Sequence, residues 1–143
     1  MEQDAFGISQ MNKEGTRLAE KMTPDRMLEI LDMLADELPE VFFDNLNLGI
    51  SVLEDTPLDP ASRPGNPLYI LGRYIKDRMG RRIEIYYGSF MAVFGYLDEA
   101  AMTVRLRETL RHEFRHHLEN QGGERDLEYE DLDQLIKYLN DSK

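Results

Sequence analysis

The sequence predicts an α+β domain, and three observations lead there. Met27, Ile30, Leu31, Leu34 and Leu38 recur at helical spacing. Ile83-Glu84-Ile85-Tyr86-Tyr87 alternates and is rich in β-branched and aromatic residues, the pattern of a half-buried strand. Between Asp98 and Asn120 a second helical pattern puts Leu106, Leu110 and Phe114 in one stripe.

Taken in order, residues 1–22 are polar and read as a flexible N-terminal arm, with room for a short helix between Lys13 and Lys21. A single domain then spans 23–143. Thr23-Pro24-Asp25 is a helix start: threonine caps, proline suits the first helical position, and an acid complements the dipole. Pro39 closes that helix or bends it, and Val41-Phe42-Phe43 belongs to the core. Leu48–Leu53 reads as a strand. Residues 54–67 hold four prolines and form a long loop, either a rim or lid element or a solvated connection. Leu68–Ile75 is a second strand. Arg82–Tyr87 is a third, hairpinned to it through Asp77-Arg78-Met79-Gly80, and its free edge is expected to accept an extended peptide. Ser89–Phe94 reads either way. Asp98 caps the long helix, which Gln121-Gly122-Gly123 ends near Asn120. The last helix, Leu127–Leu139, turns Leu132, Leu135, Ile136 and Leu139 inward.

At 143 residues the chain can bury a core of its own. A net charge of −11 opposes a phosphate backbone, so no nucleic acid is expected as partner. The basic clusters at 73–82 and 105–115 read as a polar turn and a solvated helix face. No apolar run is long enough to span a bilayer, and no basic-then-apolar leader opens the chain. A cytoplasmic protein with no membrane partner is the expectation. Without cysteine there is no disulfide and no thiolate zinc site.

The chemistry concentrates in His112-Glu113-Phe114-Arg115-His116. On a helix, His112 and His116 stand one turn apart on one flank, where two imidazoles can grip one zinc ion. Glu113 falls between that pair and the apolar stripe, a desolvated position suited to a general base working on water at the metal. His117 falls inside the stripe and reads as a buried, hydrogen-bonded histidine. Arg107, Arg111 and Arg115 lie on the far side and should be solvated. A catalytic zinc needs a third protein ligand, and no further histidine exists. Glu119 is about 10 Å along the axis from His112 at 1.5 Å per residue. The chain is therefore expected to turn back at Gly122-Gly123 and present Glu124, with Asp126 as the alternative; both also suit an acidic cap on the last helix. Tyr86, Tyr87 and Arg125 are candidate donors to negative charge developing on a substrate. Imidazole with carboxylate also suits nickel, iron or manganese. Two other classes stay open: a non-catalytic metal-binding domain, and a metal-free interaction module.

Leu110–Glu119, followed by Gly123-Glu124-Arg125-Asp126-Leu127, resembles the small bacterial zincin-like metallopeptidase family, which carries H-E-x-x-H-H on a helix and then a turn to an acid. Leu68–Tyr74 and Ile83–Gly88 are similar to its strand motifs, and Leu28–Leu38 to its first helix. The likeness spans most of residues 23–140. It implies a compact minimal zincin-like fold, a small twisted mixed sheet of about three to four strands packed against the metal helix. It implies zinc on His112 and His116, Glu113 as general base, and a peptide or protein substrate. Where many members have a glycine and then an acid after the second histidine, this chain has Glu119 and Gly122, so the third ligand carries over only by sliding to Glu124.

Overall fold

The computed structural model describes residues 21–124 and 129–141, and within them the side chains outside 123–124, 129–133 and 141. Most of the expected arm, 1–20, lies outside that range. Met22 does not belong to a free arm: it is buried, and its carbonyl accepts a 2.6 Å hydrogen bond from the Tyr87 hydroxyl.

The elements run α1 (Pro24–Ala35), a 3-10 turn (Glu40–Phe43), β1 (Ile50–Leu53), β2 (Gly72–Asp77), β3 (Gly80–Tyr86), α2 (Tyr87–Phe94), α3 (Glu99–Glu124) and α4 (Tyr129–Asp141). This is an α+β fold with one small mixed sheet. Thr23 caps α1 by accepting the Arg26 N–H at 3.1 Å, and Pro24 opens it, as the sequence indicates. Met27, Ile30, Leu31 and Leu34 form its buried face. Asp98 caps α3 through a 2.8 Å bond from the Ala101 N–H. The ambiguous segment after Gly88 is helical, as α2.

The sheet has the order β1-β3-β2, with β1 parallel and β2 antiparallel to β3. The Ile83–Tyr86 strand is therefore central, and its edge is not free for a peptide. The edges belong to β1 and β2, and the β2 edge is the one beside the histidines. The Tyr86 N–H bonds the Leu71 carbonyl at 3.0 Å, and in the register Arg73 faces Glu84. Alternation along an antiparallel ladder then turns the backbone N–H and C=O of Gly72, Tyr74 and Lys76 away from β3. Leu68–Leu71, read as part of this strand, precedes it, and Tyr69 bridges to Leu58 instead.

One face of the sheet packs on the helices. Ile83 and Ile85 are fully buried and share that face with their cross-strand partners Tyr74 and Gly72. Met102, Leu106, Leu110, Phe114 and Leu118 of α3 meet them in a single core with the α1 stripe and Phe42. Gly72 eases this approach: a Cβ there would lie 3.0 Å from Ile85 Cδ1, 3.1 Å from the Glu84 carbonyl oxygen and 3.2 Å from Thr109 Cγ2, so its neighbours would have to give way slightly. The edge strand β2 and α3 are thereby in close contact. The helix α4 closes the core with Leu139, and Tyr138 stacks edge-on against Phe42 at 5.6 Å.

Two expectations about α3 change. Arg107 and Arg111 are not simply solvated; both reach Glu37 beyond the end of α1, and the Arg111 side chain is only 11% exposed. Arg107 holds the Glu37 carboxyl below its usual range. The helix also does not end near Asn120 but runs through Gly122-Gly123 to Glu124. Two glycines cost a helix up to about 1 kcal/mol each. Tertiary contact offsets this: Leu118 and Gln121 are buried, and Gln121 Nε2 donates to the Asp44 carbonyl at 3.1 Å.

Candidate metal centre

His112 and His116 come together as their spacing requires. Their Nε2 atoms lie 3.2 Å apart, with ring centroids 4.8 Å apart and ring planes perpendicular. Two zinc–nitrogen bonds of about 2.05 Å at a tetrahedral angle span about 3.3 Å between nitrogens. The separation of the two nitrogens thus matches what a shared ion would need. Burial holds His112 below its ordinary pKa, assisted by the positive charges of His116 and Arg115. A neutral ring keeps a lone pair for a metal. The Nδ1 of His116 lies 3.7 Å from a Glu119 carboxylate oxygen, an ion-pair distance, while without metal the contact between the two Nε2 atoms is a hydrogen bond with the proton on one of them.

Glu113 is 5% exposed, buried beside the histidines where the sequence puts it. Desolvation pushes its carboxyl up, against the opposing pull of His116 and of a backbone hydrogen bond from Tyr74. That bond comes from one of the outward N–H groups of β2, so this edge of the sheet touches the general-base candidate directly. Gly72, Arg73, Tyr74, His112, Glu113, His116, Glu119 and Asn120 line one open groove. No residue of the long 54–67 loop is among them.

His117 is fully buried, in keeping with its position in the stripe. Its Nε2 lies 2.8 Å from the Asp44 carbonyl, which can only accept, so the proton sits there. The bare Nδ1 then accepts from the Tyr74 hydroxyl at 3.0 Å. Burial keeps the ring below its ordinary pKa, and it is a brace between α3, β2 and the turn at Asp44.

The third ligand is not brought to the pair by the expected turn. Glu124 closes α3 eight residues beyond His116, about 12 Å along the axis. Its side chain lies outside those described, and Asp126 and Arg125 lie outside the described residues altogether. Among the described residues no three of His, Cys, Asp and Glu gather as a metal group. Two of the three candidate donors on the substrate side are engaged elsewhere. Tyr86 donates to Glu84 at 2.7 Å and is pushed up to about 12 by burial and that carboxylate, while Tyr87 donates to Met22. Sequence reasoning missed the roles of Arg73, Tyr74 and Asn120 in the groove. Strand order would have found Arg73 and Tyr74, and the helix wheel Asn120, one turn beyond His116 on α3.

Among the described residues no helix is long and apolar enough to cross a membrane. No family model matches the chain, and no curated protein does. Among solved structures it is similar to a conserved hypothetical protein from Thermo thermophilus, at 31% identity and a TM-score of 0.61, over 71% of this chain and 98% of that one. At that identity and coverage, the chain belongs to the same family as the Thermo thermophilus protein.

Proposed function

We propose that this protein is a zinc-dependent peptide-bond hydrolase of the zincin-like metallopeptidase kind, acting on peptides or proteins in the bacterial cytoplasm. The observation behind it is the pair of ring nitrogens 3.2 Å apart with the buried carboxyl of Glu113 beside them. His112 and His116 would hold the ion, with Glu124 as third ligand or Asp126 in its place. Bound zinc supplies a Lewis acid that acidifies water and polarises a carbonyl; another divalent ion could serve. Glu113 accepts the water's proton and returns it to the leaving amine, and a carboxyl raised by burial is better matched to both steps near neutral pH. The Tyr74 N–H holds that carboxylate in place. The outward backbone N–H and C=O of Gly72 can orient an extended peptide along β2.

Protein purified without a histidine tag is expected to carry zinc and to cleave an unstructured peptide. A chelator should stop cleavage and added Zn²⁺ restore it. Cleavage that persists without metal, or no cleavage by zinc-loaded protein, would overturn the proposal. A second reading, a non-catalytic metal-binding or interaction domain, is favoured by the missing third carboxylate or histidine among the described residues. Zinc binding without hydrolysis would support it.

If Glu124 completes the site, the last turn of α3 must open at its glycine pair. Replacing Gly122 and Gly123 by alanine should then raise the melting temperature of the metal-free protein, by up to about 1 kcal/mol of stability per site. It should also weaken zinc binding at least ten-fold (about 1.4 kcal/mol) in calorimetric titration. Unchanged affinity would assign the third ligand elsewhere.

A further inference from the structure

We propose that Arg73 selects the substrate, so that the groove takes extended peptides with an acidic side chain at the residue paired with Arg73. The site is that of the hydrolase proposal, on which this rests for its location.

Arg73 lies on the edge strand β2, lines the histidine groove and is next in sequence to Tyr74, whose N–H meets Glu113. Its register partner is Glu84, so its side chain stands on the outer face of the sheet, opposite the core face of Tyr74 and Ile83. The guanidinium sits over the Tyr86 ring, 5.6 Å from its centroid. The nearby acids are committed to other groups. Glu84 takes the Tyr86 hydroxyl at 2.7 Å on one oxygen and Arg82 Nε at 2.9 Å on the other. Asp77 takes the other arm of Arg82 at 2.8 Å. Arg73 makes no ion pair within 4 Å among the described residues, though its charge helps hold the Glu84 carboxyl down from across the strand. The result is a cation held on an aromatic platform, at the rim of the candidate site, on a strand edge that faces the groove.

A peptide strand added to β2 places one residue directly beside Arg73 on the outer face, with Cβ atoms roughly 4.5–5.5 Å apart. Opposite charges across such a pair attract, and like charges repel. The net charge of −11 opposes acidic ligands at long range. That field is screened beyond about 8 Å at physiological salt, so the local pair decides.

The test uses zinc-loaded Glu113→Gln protein and fluorescein-labelled ten-residue peptides in which a single Asp or Lys is moved through the sequence, read by anisotropy. At one position the Asp peptide should bind about ten-fold tighter than the Lys peptide, the sum of a favourable and an unfavourable pair. Arg73→Glu should invert that preference, and Arg73→Met, which keeps a stem on Tyr86, should abolish it. Equal binding of the two series, a preference unchanged in Arg73→Glu, or no binding of any peptide would overturn the proposal. Hydrolysis by the wild type is read separately. Selective binding without hydrolysis sinks the hydrolase proposal and leaves Arg73 its role, whereas hydrolysis without charge preference does the reverse.

Discussion

Glu113→Gln should keep zinc and lose nearly all hydrolysis, with kcat falling about 10²–10⁴-fold, the usual contribution of a general base. The substitution preserves shape, and the amide oxygen can still accept the Tyr74 N–H. Neither histidine is touched, so zinc content should stay at the wild-type level. Stability should hold or rise. The folded carboxyl is raised above its unfolded value of 4.5, so the folded state binds the proton more tightly. Its contribution is present at low pH and is lost as pH rises through the raised folded value, leaving a buried charge that the amide does not carry. A melting temperature at neutral pH equal to or above wild type, zinc retained and hydrolysis gone is the expected set of readings. Full activity would reject Glu113 as the base.

His116→Ala should lose both metal and activity. Removing a group merely hydrogen-bonded to a metal ligand weakens binding about 10–100-fold, and deleting a ligand should exceed that. The fold should survive, because the His116 side chain is 49% exposed and alanine is the best helix former. His117→Ala is the informative control. It leaves His112 and His116 in place but removes one partner of the Tyr74 hydroxyl, which also lies 3.3 Å from Asn120 Oδ1, and one donor to the Asp44 carbonyl, inside the core. It should lower the melting temperature while zinc binding remains. Circular dichroism melts and zinc titration of the two variants separate the roles, and zinc binding by His116→Ala at wild-type affinity would contradict the assignment.

How much of this was legible in the sequence follows from the range of the forces involved. The cap at Thr23, the cap at Asp98 and the α3 stripe depend on neighbours within a few residues, and all three were readable. The roles of His117 as brace and of Glu113 as buried carboxyl followed from their angles on the helix wheel. Strand order did not follow, because parallel pairing of β1 with β3 is set by how α1 and α3 cover the sheet, not by alternation within a strand. Alternation alone therefore points to Ile83–Tyr87 as an edge, whereas that strand is central and the edges are β1 and β2. The glycine pair misled for a related reason. A local rule ends helices at glycine, yet buried Leu118 and Gln121 and the Asp44 carbonyl carry α3 onward to Glu124. Arg107 and Arg111 looked solvated because their partner, Glu37, is 70 or more residues away.

The most direct test is a zinc-edge anomalous difference map from crystals of the tag-free protein grown with Zn²⁺. The account predicts one peak about 2.0–2.1 Å from Nε2 of both His112 and His116, with a carboxylate from beyond Gly123 and a water completing the shell. Rings turned away from each other with no peak between them, or a metal bound without either histidine, would contradict it.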